Sequence, residues 1–177
     1  MKAVILIVLP ILFGFPAAED HLPLDPPARK KFDNAIRSAF GVEDFSLTIH
    51  GNSVPPDAPG ADEINGLTYQ VRSGGQLKGY AYLTHGMGRY EAFDFVVLYS
   101  TDLQIQKVDI LVYRSDHGYE IMNKRWLAQF NGKTGCNLVY GKDIDAISGA
   151  TLSGTSLTET IAENCELMKL NANFDPR

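Results

Sequence analysis

Asp145-Ala146-Ile147-Ser148-Gly149-Ala150-Thr151 is followed by Leu152-Ser153-Gly154-Thr155-Ser156-Leu157-Thr158-Glu159 and then by an amphipathic pattern reaching Leu170. Small and hydroxylated residues ahead of a helical pattern are ordinary turn and N-cap chemistry. They can also do more. Gly149 and Ala150 carry almost no side chain, so a large rigid ligand can approach the backbone beside the hydroxyls of Ser148 and Thr151. A helix starting there aims unpaired N–H groups and the positive end of its dipole at the same spot, which suits a phosphate. The spacing predicts a final helix from Leu152 to Leu170, or from Ser156 if Ser156 and Glu159 form a capping box and Gly154 delays the start.

Upstream, the hydrophobic period is that of strands. Leu67 to Arg72 and Leu77 to Thr84 flank Ser73-Gly74-Gly75-Gln76, a hairpin signal. Phe93 to Ser100 and Ile105 to Tyr113 flank a second turn, Thr101-Asp102-Leu103-Gln104. A helix over Glu120 to Phe130 and a short strand over Asn137 to Tyr140 follow. Before the strands, Asp25-Pro26-Pro27 reads as a helix start, and Phe32, Ile36, Ala39 and Phe40 share one face of a first helix that Gly41 stops. Val54 to Gly60 holds three prolines and reads as an exposed loop. The fold class is therefore α+β, a twisted antiparallel sheet packed with helices. The organisation expected is an N-terminal helix and Pro-rich loop over 19–64 and a main domain over 65–177.

D-A-I-S-G-A-T resembles the flavinylation motif D-x-x-[ST]-G-A-[TS] of the FMN-binding domain family, which includes flavin-carrying components of the sodium-pumping NADH:quinone oxidoreductase and of the related Rnf electron-transport complex. Four upstream segments resemble that family in its own order: Gly79 to Leu83, Phe93 to Leu98, Val112 to Ile121 with its His117-Gly118-Tyr119-Glu120-Ile121 turn, and Trp126 to Lys133. The resemblance covers about half the chain. It implies FMN joined through its phosphate to Thr151, by a separate flavin transferase with FAD as donor. Asp145, Ser148, Gly149 and Ala150 match positions the transferase requires, and His117, Gly118 and Glu120 match the turn beside the isoalloxazine ring. Ser153 and Thr155 are rival hydroxyls on chemistry alone. His117-Gly118 can equally be a plain turn, and Trp126 and Phe130, four apart, suit core packing better than ring stacking.

The ends and composition set the context. Lys2, the apolar run Ala3 to Phe15 and Pro16-Ala17-Ala18 read as a signal peptide over residues 1–18, with an uncleaved anchor as the alternative. Cleavage there predicts a mature start near Glu19, with 15 basic and 21 acidic side chains and a net charge of −6, which argues against nucleic acid as a partner. Export permits a bridge between Cys136 and Cys165, although Cys165 also fits a helical core position with Leu157, Ile161 and Met168. No spacing suggests zinc, covalent haem or a hydrolase. His85-Gly86-Met87-Gly88-Arg89 reads as a glycine-rich loop, a weak phosphate signal that suits a turn or lid over a flavin. The expectation is an exported electron carrier in the periplasm or at the cell surface, exchanging electrons with membrane or periplasmic redox proteins. Its rivals are a periplasmic flavin reductase with His117 as proton donor and a non-redox ligand-binding module.

Overall fold

A computed structural model describes residues 22–52 and 66–170; the segments expected to be a signal peptide, 1–18, and a Pro-rich loop, 54–60, lie outside them. Helix α1 runs Pro26–Phe40. The Asp25 side chain accepts from the Ala28 N–H at 2.8 Å, Pro26 and Pro27 occupy the first turn, and Gly41 ends the helix at φ 63° with its N–H bonded to Arg37 O. Its buried stripe is Ala28, Phe32, Ala35 and Ile36.

Five strands follow as an antiparallel meander in chain order: β1 Ser46–Asn52, β2 Leu67–Ser73, β3 Gln76–Met87, β4 Ala92–Ser100 and β5 Ile105–Val112. Strand β1 is an addition to the four that the sequence pattern predicts. It is an edge strand with Ile49 63% exposed and a register shift between Ile49 and Gly51, so little hydrophobic alternation marks it. At the far end of β3, His85, Gly86 and Met87 are strand residues rather than a loop, and the turn is confined to Gly88 through Glu91. Gly86 is needed there because a Cβ would come within 2.6 Å of the Phe93 ring.

Both faces of the sheet are covered. Tyr69, Val71, Ala81, Leu83, Val96 and Leu98 meet α1. On the opposite face, Tyr80, Tyr82, Phe93, Phe95, Val97 and Tyr99 meet the chain after β5 and helix α3, Thr151–Leu170. Residues from Phe93 through Tyr99 are therefore buried without interruption, as expected of a strand enclosed on two sides. Asn164 of α3 hydrogen-bonds Tyr99 at 3.5 Å, and burial raises the Tyr99 phenol pKa well above its usual range.

Three local expectations change. The helix over Glu120 to Phe130 is broken into a 3-10 turn at Tyr119–Met122, a one-turn helix α2 at Lys124–Leu127 and a second 3-10 turn at Ala128–Phe130. Asn123 interrupts it: its backbone is extended, and its side chain accepts from the N–H groups of Arg125 and Trp126. Asn137 to Tyr140 forms no strand; Asn137 has φ 59° and the segment contributes one isolated bridge, Tyr140 to Ile144. Helix α3 begins at Thr151, ahead of both predicted starts. Gly154 does not delay it, and a Cβ there would meet the Tyr140 ring at 2.6 Å. Ser156 forms no cap; its Oγ accepts from the Met87 N–H at 2.7 Å. Cys136 and Cys165 are bridged, with Cα atoms 5.1 Å apart, which fastens α3 to the loop before it. Among the described residues no helix is long and apolar enough to cross a membrane, and no group of three or more His, Cys, Asp or Glu side chains could hold a metal ion.

Candidate functional site

The site is built on the start of α3. Gly154 N–H bonds to Ala150 O at 2.8 Å as the first turn closes, so the N–H groups of Thr151, Leu152 and Ser153 precede any intrahelical acceptor. Thr151, the first helical residue, is exposed and stands at the same end of the dipole.

The loop before Thr151 is fixed by side chains from elsewhere. Trp126 Nε1–H donates to Asp145 O at 2.7 Å, Asp145 N–H donates to Gln129 Oε1 at 3.0 Å, and Ile147 N–H donates to the Tyr140 hydroxyl at 2.9 Å. The two motifs, D-A-I-S-G-A-T and W-L-A-Q-F-N-G-K, are thus joined by Trp126 and Gln129. Trp126 and Phe130 contact edge to face at 5.6 Å within the core, matching the packing reading. Asp145, Ser148 and Gly149 remain exposed, whereas Ala150 is 3% exposed and packs into the core.

Gly149 lines a cavity and also has a conformational use. Its φ of 87° belongs to the left-handed region, and a Cβ would lie 2.7 Å from the Glu120 carboxyl carbon. Glu120 thus occupies the side of Gly149 on which a Cβ would lie. Gly118, at φ 83°, likewise brings its backbone against the Tyr113 hydroxyl, which a Cβ would meet at 2.6 Å.

A cavity of about 540 Å³ lies between two walls. One is the turn containing His117, Gly118 and Glu120; the other is Gly149, Ala150 and Thr151. Six of the eight residues singled out in the sequence therefore share one space. Asp145 instead lines a second hollow, of about 570 Å³, beside Trp126 and Gln129, and Ser148 lines neither. Glu120 is half-buried, and its Oε2 is a buried acceptor with no hydrogen-bond donor. Among the rival hydroxyls, Ser153 is 2% exposed and bonded to Tyr113, and Thr155 is half-buried.

Arg89 also lines the cavity, its guanidinium 5.3 Å over the Tyr90 ring, and the Tyr90 ring lies 6.2 Å from His117. Sequence reasoning places Arg89 in a loop read as a turn or lid over a flavin but does not single it out as a site residue. The available signal is an arginine in a tight β-turn; the antiparallel return that carries it to α3 cannot be read from spacing. The wall containing His117 is anchored where it leaves β5. Arg114 pairs with both carboxylate oxygens of Asp94, one of them at 3.0 Å, and that carboxylate raises the Arg114 pKa.

No family model matches the sequence, and no curated protein matches it. Among solved structures, the fold is similar to that of NqrC from Shewanella oneidensis, with a TM-score of 0.56, 15% identity, and coverage of 82% of this chain and 98% of that one. The likeness is one of fold: an α+β architecture around an antiparallel sheet.

Proposed function

We propose that the chain carries FMN as a phosphoester on Thr151 and works as an exported electron carrier. The observation that carries this reading is the placement of Thr151, an exposed hydroxyl at the first residue of a 20-residue helix, facing the turn of His117, Gly118 and Glu120 across one cavity. The volume lies in the range of sites for ligands of flavin size. The residues present also suit the group. The free N–H groups of Thr151 to Ser153 and the Arg89 guanidinium would hold a phosphate. The unsatisfied Glu120 Oε2 would accept from a ligand N–H or O–H after a small side-chain rotation. Bound FMN would supply reversible electron transfer, and the chain's own part is to hold its ring, exclude water from one face and set the charge around it. The fold shared with NqrC supports a flavoprotein electron carrier. The covalent bond, the exported location and the signal over residues 1–18 rest on the motif and on the N-terminal sequence.

The partner that installs the group would be a flavin transferase using FAD. Thr151 Oγ would displace AMP at the FMN phosphorus and lose its proton, giving an adduct of FMN less one water. A tether of this kind keeps a cofactor at high effective concentration where free flavin would be diluted away. Its electron partners would be membrane or periplasmic redox proteins. The exposed His117 on the cavity wall is the observation that favours a reductase instead, since a proton donor is placed beside the ring's expected position.

The test is the visible spectrum of denatured protein after co-expression with the transferase. Colour that stays with wild-type polypeptide and leaves with Thr151→Ala supports the proposal; a colourless wild type refutes it. Steady-state turnover with candidate acceptors then separates carrier from reductase.

A further inference from the structure

Two hydroxyl groups tie the walls of the cavity together. Tyr113 Oη lies 2.7 Å from the carbonyl oxygen of His117, and a carbonyl only accepts, so the single phenolic proton is used there. At the 3.2 Å contact between Tyr113 and Ser153 the serine must then be the donor. The order is fixed as Ser153 O–H to Tyr113 oxygen, and Tyr113 O–H to His117 C=O. His117 belongs to one wall and Ser153 to the other.

Glycines close around this chain of bonds. A Cβ on Gly118 would stand 2.6 Å from the Tyr113 hydroxyl and 3.3 Å from Ser153 Oγ, and one on Gly88 would stand 3.5 Å from each. Three segments, the turn after β3, the chain after β5 and the first turn of α3, therefore converge on two hydroxyls. Ser153 is 2% exposed, and the Tyr113 ring packs 5.7 Å from Phe93. Helix α3 is held independently farther along by Leu157, Ile161 and the Cys136–Cys165 bridge, so the fold does not depend on this tie. Its position gives it a different task.

We infer that Tyr113 and Ser153 are positioning residues that fix the spacing between the His117 wall and the Thr151 wall, and with it the seat of the flavin ring. This rests on the flavin reading above. It would also disfavour Ser153, the rival hydroxyl two residues past Thr151, as an acceptor: its proton is committed and it is shielded from solvent. Tyr113→Phe keeps the ring and loses only the oxygen. Ser153→Ala breaks the same bond from the other side.

The experiment uses the full chain with and without flavin. In the loaded protein, time-resolved fluorescence anisotropy should show a ring that tumbles with the wild-type protein but gains a fast local motion in Tyr113→Phe and in Ser153→Ala. The double variant should gain no more than either single, because one chain of bonds is cut in all three. Ile161→Val, a core change two turns away, should lower stability without producing the fast motion. In the unloaded protein, amides at 117–119 and 152–154 should exchange several-fold faster together in Tyr113→Phe. A labelled Tyr113→Phe with wild-type anisotropy, or faster exchange in one wall only, overturns the inference. Failure of wild type to label with an active transferase overturns the flavin reading instead, and the exchange measurement still decides the tie.

Discussion

One face of the sheet is closed by a single regular helix, α1, and the other by α3 together with an irregular run from Arg114 to Ala150. The α1 face satisfies its backbone within the helix and ends it with Asp25 and Gly41. The opposite face satisfies much of its backbone through side chains: Trp126 and Gln129 on Asp145, Asn123 on α2, Tyr140 on Ile147, Tyr113 on His117. Every residue lining the cavity between the His117 and Thr151 walls lies on this second face or in the turn after β3. Regular packing makes a platform, and side chain to backbone bonds shape a cavity that a regular helix could not leave.

If that division is right, damage to the α1 face should cost stability without altering the site. Phe32 is 0% exposed beneath α1, and Phe32→Ala should cost about 3–5 kcal/mol in chemical denaturation. Molecules that remain folded should still be labelled on Thr151 at the wild-type rate. A labelling rate that fell with stability would mean that the two faces are not separable. On the other side, removal of the bridge by Cys136→Ser with Cys165→Ser should cost about 3–4 kcal/mol, given the sequence separation of 29. Loss there should loosen α3 first, seen as faster amide exchange from Leu157 onward.

Trp126→Phe is a smaller and more local break. The indole N–H to Asp145 O disappears while an aromatic ring remains, and the expected cost is about 1–3 kcal/mol. Exchange should rise at Asp145 to Ala150 and not in α1. Smallest is Asp25→Ala, at about 1 kcal/mol from the lost cap, with no change in the amides around the cavity.

The same contrast explains what could be read from the chain. Helix α1 and strands β2 to β5 were legible because burial on one or both faces imposes a period on Phe32, Ile36, Val71, Phe95 and Val108, and because turns such as Ser73 to Gln76 carry glycine. The edge strand β1 imposes no such period. Within the irregular run, one side chain decides the backbone: Asn123 looks like a tolerable helix residue until its amide oxygen takes the Arg125 and Trp126 N–H groups. The motif named three of the cavity's residues and the His117-Gly118-Tyr119-Glu120 turn three more, yet the role of Gly149 was legible only with Glu120 beside it. Arg89 reaches the site through the sheet's return, and Tyr113 and Ser153 meet across 40 positions. Those pairings are set by register, which no local pattern encodes.

Thr151 is, on the proposed reading, the point where a cofactor is joined to this fold. The assignment is tested most directly by intact mass followed by peptide mapping of full-length protein co-expressed with a flavin transferase. The expected result is a gain of one FMN less one water, located on Thr151, absent from Thr151→Ala, partly kept in Thr151→Ser, and largely unchanged in Ser153→Ala and Thr155→Ala. An adduct on another residue, or the same gain in Thr151→Ala, would contradict it.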